Sequence, residues 1–302
     1  MTQVRVGVTL PQFTADGDAF AGAALSAEKL GLDSVWVFDH LWPLSGGRER
    51  PILESWTALS YLAAATDRIG LGTLVTRSTL RHPAVLGKMA ATVAIIAPGR
   101  LTVALGSGDE ASKDENDAFG IPYFAESDRL DQFESTVASL RAYLSGGPVS
   151  RNDRFVSLSE LPPSPIPEDR PTIWVAGRSD DALEIAGTHA DGWNGWGGTP
   201  ERFAQDAAGV TDYARASGDR AVELTWGGLV VLADDDDAAR AKLGKRRPSD
   251  YVVGGPESVA RHLASLVDAG ARHLICTFSD AGDPAVYELL ATSVREELEK
   301  LI

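Results

Sequence analysis

One alternation runs through this chain from end to end: short aliphatic or β-branched runs, each followed by a longer segment whose apolar residues recur at helical spacing. A helix between successive strands carries the chain back along the sheet, so consecutive strands can lie parallel, an arrangement that tight hairpins forbid. The runs fall at 4–10, 34–38, 69–76, 101–105, 172–176, 192–196, 224–232 and 273–278. Ser34-Val35-Trp36-Val37-Phe38 does not alternate with polar residues, as expected of a parallel strand covered on both faces. Helical spacing follows over 20–30, 54–66, 82–97, 127–144, 179–189, 200–216, 234–243 and 256–270, and a last helix over 285–301 closes the pattern. Local signals set several limits: Gly31 stops the first helix, Pro83 sits in the first turn of the third, and Pro98-Gly99 ends it. The repeats predict a TIM-type (β/α)8 barrel, an α/β fold, with a doubly wound open sheet as the alternative.

At 302 residues the chain exceeds the roughly 250 of a typical barrel. The surplus is placed in a long loop at 106–126, a surface insertion with a short hairpin at 146–169, and an irregular stretch at 245–255. One domain over 1–302 is therefore expected. A formal net charge of -15 repels phosphate backbones and anionic headgroups, which argues against nucleic acid as a partner. No run approaches the roughly 18 apolar residues that span a bilayer, so a cytoplasmic protein without a membrane partner is expected. The single cysteine, Cys276, lies in the apolar run Leu274-Ile275-Cys276 and reads as an inert core residue.

In a parallel barrel the C-terminal ends of the strands converge on one rim, so polar residues directly after apolar runs are the candidates for chemistry. Asp39-His40, after Val35-Trp36-Val37-Phe38, fits best: imidazole exchanges protons near neutral pH, and a neighbouring carboxylate can fix its tautomer or hold a cofactor. The alternative is an Asp-His pair that only caps a loop. Gly106-Ser107-Gly108-Asp109-Glu110 allows close backbone approach after the fourth strand, or is a simple turn. Ala176-Gly177-Arg178-Ser179 opens a helix whose free N–H groups suit a phosphate, or is an ordinary Ser N-cap. Trp42, Trp193 and Trp196, at or after strand ends, could wall a flat heterocycle or pack in the core. Asp234-Asp235-Asp236-Asp237 suits a helix N-terminus; consecutive helical residues do not face one point, so no metal site is assigned.

Taken together, several segments resemble the luciferase-like superfamily, especially its branch that uses coenzyme F420, an 8-hydroxy-5-deazaflavin. They are Val37-Phe38-Asp39-His40, Leu71-Gly72-Thr73-Leu74-Val75-Thr76 with Arg81-His82-Pro83-Ala84-Val85, and Gly99-Arg100-Leu101 with Ala104-Leu105-Gly106-Ser107-Gly108. Ala118-Phe119-Gly120-Ile121-Pro122, Arg129, Ile173-Trp174-Val175-Ala176-Gly177-Arg178 and His189-Ala190-Asp191-Gly192-Trp193 extend the likeness over nearly the whole chain. The resemblance implies an oxidoreductase passing a hydride between F420 and a small organic substrate. It implies Asp39 against the ring, Leu74 behind it after a non-proline cis bond at Thr73-Leu74, and Thr73, Thr76, Ser107 and Gly108 along the ring or ribityl chain. Ala176, Gly177, Arg178 and Ser179 would hold phosphate. His40 is then the proton acceptor, Asp109 its acid partner, and Trp42, Trp193 and Trp196 the substrate walls. Family members are commonly dimers, which implies a homodimer.

The chain also departs from the sugar-phosphate dehydrogenases of that branch. Leu44 stands where they carry a tryptophan four residues beyond the histidine, Asp109 replaces a glutamate, and Gly198 takes the place of a phosphate-binding lysine. Sugar-phosphate oxidation is therefore disfavoured. The rival expectations are an FMN-dependent monooxygenase on the same barrel and a non-catalytic cofactor-binding barrel. The retained Asp39-His40, Gly106-Ser107-Gly108 and Gly177-Arg178-Ser179 argue against the latter.

Overall fold

A strand buried on both faces must satisfy every backbone group laterally, and here the lateral pairing closes on itself. The computed structural model describes residues 4–43, 47–281 and 283–302. Its barrel strands are β1 (Arg5–Thr9), β2 (Ser34–Val37), β3 (Gly70–Arg77), β4 (Leu101–Gly106), β5 (Thr172–Ala176), β6 (Gly192–Trp196), β7 (Glu223–Leu232) and β8 (His273–Phe278). Each pairs in parallel with its successor, and β8 pairs with β1 through Arg5↔His273 to Val8↔Cys276. The open-sheet alternative fails at β6, which pairs with β7 from Gly192↔Glu223 to Trp196↔Gly227 and so leaves no edge.

Two layers of core hold the barrel. Outside it, Val35 and Val37 of β2, with their equivalents on other strands, pack under the helices; Cys276 belongs here, fully buried, and burial pushes its thiol up to about 12. Inside it, Trp36, Leu74, Ala104, Trp174 and Ile275 pack together. The Trp36 and Trp174 rings stack at a centroid distance of 4.9 Å. Glycine makes room for them: a Cβ at Gly72 would lie 2.2 Å from the Trp36 ring, and one at Gly192 would lie 2.5 Å from that of Trp174. His273 sits among them, its Nε2 2.7 Å from Ser34 Oγ, and burial holds it far below the usual imidazole range, hence neutral.

Three local expectations change. The stretch 245–255 is not wholly irregular: Tyr251–Gly254 forms a short strand paired in parallel with Leu229 to Leu232 of β7. It takes over beside β7 where pairing with β6 ends at Gly227. The loop after β4 contains a helix, Lys113–Ala118, preceded by a tight turn at Glu110–Ser112 that the Asp109 carboxylate caps. The closing helix is interrupted by a π-helical turn at Leu290–Val294, between Pro284–Leu289 and Arg295–Leu301. The inserted hairpin is present as Val149–Asn152 paired with Ser157–Leu161. Among the described residues no helix is long and apolar enough to cross a membrane.

Candidate active site

Beyond Val37 the chain leaves β2 at the rim, and its next residues are fixed from two sides. Gln12, fully buried after β1, receives the Phe38 N–H on Oε1 at 2.7 Å and donates to the carbonyls of Phe38 and Leu53 at 2.8 and 2.6 Å. Asp39, only 1% exposed, faces inward: Arg81 grips it with two bonds of 2.6 and 3.0 Å, and Ser55 Oγ donates to it at 2.6 Å. Arg81 also pairs with Glu54, the N-cap of the helix Ser55–Ala65. Burial works against the Arg81 charge, but Asp39 and Glu54 outweigh it and raise its pKa.

His40 turns the other way, toward the open mouth. Its Nδ1 lies 3.0 Å from Glu115 Oε2, on the short helix Lys113–Ala118. Glu115 has no exposed surface; it also accepts from the Leu41 N–H and from the Trp42 N–H at 3.3 Å, and Arg77 Nη2 stands 3.1 Å away as an ion pair. Burial pushes the Glu115 carboxyl up, yet the hydrogen bonds from His40 and Leu41 and the Arg77 charge prevail and hold it below the ordinary range. An ionised carboxylate can only accept, so the proton on this bond belongs to Nδ1. In the neutral form of the ring the lone pair then lies on Nε2, where it can act as a base. Arg77 is anchored in turn, donating to Asp39 O at 3.2 Å and to Asn116 Oδ1 at 3.0 Å.

His40 lines a cavity of about 480 Å³ over the ends of β1, β2, β6, β7 and β8. Phe13, Phe38, Trp196, Leu229 and Phe278 stand in its wall, with Arg50, Thr277 and Ser279 among the polar lining residues. The Phe38 ring stacks on Phe13 at 6.1 Å and meets Trp196 edge-on at 6.2 Å.

The opposite side of the mouth is built from a bulge and glycines. The register of β3 on β4 slips between Thr73 and Thr76, and the non-proline cis bond is Leu74-Val75, one residue later than expected. Leu74 packs in the barrel interior, and half-buried Val75 forms a ledge against the same cluster. A Cβ at Gly106 would fall 2.6 Å from Val75 Cγ2, so the ledge requires glycine there. Gly108 follows at φ +76°, and Ser107 Oγ donates to its carbonyl at 3.2 Å.

Several expected roles need correction. The Asp39 carboxylate is spent on Arg81 and Ser55, so it supports the mouth from beneath rather than facing it. Thr73 and Thr76 have no exposed surface; Thr73 donates to Ala104 O at 3.0 Å and Thr76 accepts from Trp56 Nε1 at 3.1 Å. Asp109 is exposed and occupied with the N–H and hydroxyl of Ser112, and the carboxylate beside His40 is Glu115. Arg178 pairs with Asp206 and donates to the carbonyls of Trp196 and Gly197 at 3.0 and 2.6 Å, so its charge is already used. Ser179 caps the helix Asp180–His189, leaving Ala176 and Gly177 as backbone at its entrance. Trp193 is fully buried against Phe203, with Nε1 donating to Gly177 O at 2.8 Å. Trp42 lies outside the cavity, under the Arg48 guanidinium and against Phe119. Of the three tryptophans, Trp196 lines the cavity. Leu44 lies outside the described residues.

Catalytic groups of parallel barrels gather at the C-terminal rim, and this rim brings a buried carboxylate, an imidazole and an apolar cavity together, so the fold and mouth define a barrel enzyme. The comparisons agree: a family model described as luciferase-like monooxygenase matches residues 1–252, and the chain belongs to that family. It is 27% identical, over 90% of both chains, to the F420-dependent glucose-6-phosphate dehydrogenase of Beutenbergia cavernae. It is 31% identical to the F420-dependent hydroxymycolic acid dehydrogenase of Mycobacterium tuberculosis, over 78% of this chain and 65% of the relative. An F420-dependent secondary alcohol dehydrogenase, solved with an F420-acetone adduct, has the same fold at a TM-score of 0.84 and 19% identity, over 98% of this chain and 99% of that one.

Proposed function

We infer that this chain is an F420-dependent oxidoreductase acting on a small organic substrate, with His40 as the group that accepts or returns the substrate's proton. The observation that carries the proton role is the Glu115–His40 pair: a buried anion fixes Nδ1–H and leaves Nε2 as the free acceptor on a residue that lines the cavity. The choice of F420 follows the curated relatives, which are named as dehydrogenases of that cofactor. When bound, F420 supplies the two-electron acceptor or donor of a hydride. The residues present suit such a group: Val75 offers an apolar ledge for a flat ring, Gly106 makes room for that ledge, and Gly108 turns the chain beside it at φ +76°. Main-chain N–H groups at Gly177, Arg178 and Ser179 would take the phosphate without help from the Arg178 side chain, which is already paired. Gly198 stands at φ +76°, a conformation that side chains rarely adopt, so the chain lacks a phosphate-binding lysine at this point, which disfavours sugar phosphates as substrates.

Titrating the protein with F420 and with FMN tests the cofactor; tighter FMN binding overturns the reading in favour of a monooxygenase. His40→Ala should lower kcat/KM by about 10²–10⁴ with F420 affinity retained, and full turnover by that variant would remove the proton role. The same reading includes a cytoplasmic homodimer. The homodimer is supported by the helices Ser55–Ala65, which carries no charged side chain, and Pro83–Ile96, which carries one, Lys88, while Tyr61, Val85, Ile95 and Ile96 stand exposed on them. Light scattering on the purified chain distinguishes a dimer from a monomer.

A further inference from the structure

We propose that the cavity selects a neutral substrate with two oxygen functions separated by an apolar, ring-sized body: the reacting alcohol or carbonyl at His40 and a second oxygen held by Thr277. This rests on the reading of His40 given above. A volume of about 480 Å³ suits a small molecule, and its walls are dominated by aromatic and aliphatic side chains, which favour an apolar body. Arg50 is the arginine of the lining and stands exposed at the rim.

Thr277 is the anomaly in that wall. It is 7% exposed, lines the cavity, and its Oγ1 has no hydrogen-bond partner among the described residues. Its position on β8 puts it on the inner face, in alternation with His273 and Ile275. A buried hydroxyl left unpaired destabilises the protein unless something else uses it. Oγ1 is itself shut off from solvent, and a turn about χ1 that brings it to the cavity breaks no hydrogen bond among the described residues. The other threonines of the lining differ: Thr14 Oγ1 already accepts the Asp16 N–H at 2.9 Å, and Thr9 is 1% exposed.

The two polar points arise from strands that are not neighbours. His40 follows β2 and Thr277 lies on β8, with β1 between them, so their backbones are separated by about 9–10 Å of sheet. A substrate reaching both carries oxygens at its two ends. Oxidation of its alcohol end would break the O–H and C–H bonds and form C=O, with His40 Nε2 taking the proton and F420, when bound, supplying the acceptor for the hydride and its electron pair. The oxygen at Thr277 is unchanged.

Acetophenone and 4-hydroxyacetophenone serve as probes, their binding to the full chain measured by calorimetry in the wild type and in Thr277→Val. The wild type should bind the hydroxylated probe about fivefold more tightly, the value of one neutral hydrogen bond. Thr277→Val should erase that preference, leave acetophenone unchanged, and melt no lower than the wild type, because the lost hydroxyl has no partner among the described residues. The inference is overturned if the wild type shows no preference, if Thr277→Val weakens both probes equally, or if glucose 6-phosphate binds more tightly than either. F420 titration of the same protein separates the two readings: a preference that persists without F420 binding supports the pocket and rejects the cofactor.

Discussion

The two sides of the barrel mouth are built on opposite principles. Under β2 to β4 the polar groups are locked to one another: Asp39 with Arg81 and Ser55, Arg77 with Glu115 and Asn116, Glu54 with Arg81. Over β6, β7, β8 and β1 the wall is mostly apolar, open, and holds a hydroxyl that has no partner among the described residues. Charged residues at strand ends are therefore not equivalent to reactive ones. Most of them here fix loops, because a buried ion requires a partner and a satisfied ion is rigid. His40 belongs to both sides, tied to the lattice through Nδ1 and lining the cavity.

The sharpest way to break this contrast is to open the lattice. Arg81→Ala leaves the Asp39 carboxylate buried without its cation and should cost about 3–5 kcal/mol in urea unfolding; a loss below about 1 kcal/mol would show that the lattice does not hold the mouth. Glu115→Gln keeps the size of the side chain but removes its charge. It should lower kcat on the order of 10–100-fold through misplacement of His40, with little change in KM; a change in KM alone would mean that Glu115 shapes the cavity instead.

The same variant tests stability against pH. The folded protein holds the Glu115 carboxyl below its ordinary value of 4.5, so the unfolded chain takes up that proton first as the pH falls. Its contribution is complete above about 4.5 and is lost as the pH drops through the folded value. Glu115→Gln should flatten that part of the acid denaturation curve. A small effect on stability is expected on the open side: Trp196 is 41% exposed, and Trp196→Ala should change stability by about 1 kcal/mol or less while raising KM for an apolar substrate. A larger loss would make Trp196 a structural residue.

How much of the site could be read in advance follows from how each residue is reached. His40 was legible because it follows an apolar run directly, and position after a strand is a local property. Gln12 and Arg77 carry the same signal, after β1 and at the end of β3, and could have been found by applying that rule to every strand. Glu115 has no such mark. It lies within Lys113-Asp114-Glu115-Asn116-Asp117, 75 residues from His40, and its neighbours Asp114 and Asp117 form exposed pairs with Arg48 and Lys113. The cis bond at Leu74-Val75 was misplaced by one residue, because resemblance locates a bulge only to its segment.

By itself the sequence determined the alternation of strands and helices, hence the parallel barrel, and the rim on which polar residues gather, because both follow from periodicity along the chain. Only the tertiary structure decided which of those polar residues are free. Asp39, Arg178 and Trp193 are consumed by contacts with residues distant in sequence, whereas His40 and Thr277 line the cavity. Pairing and burial depend on what the closed barrel brings into reach, and no spacing along the chain encodes that.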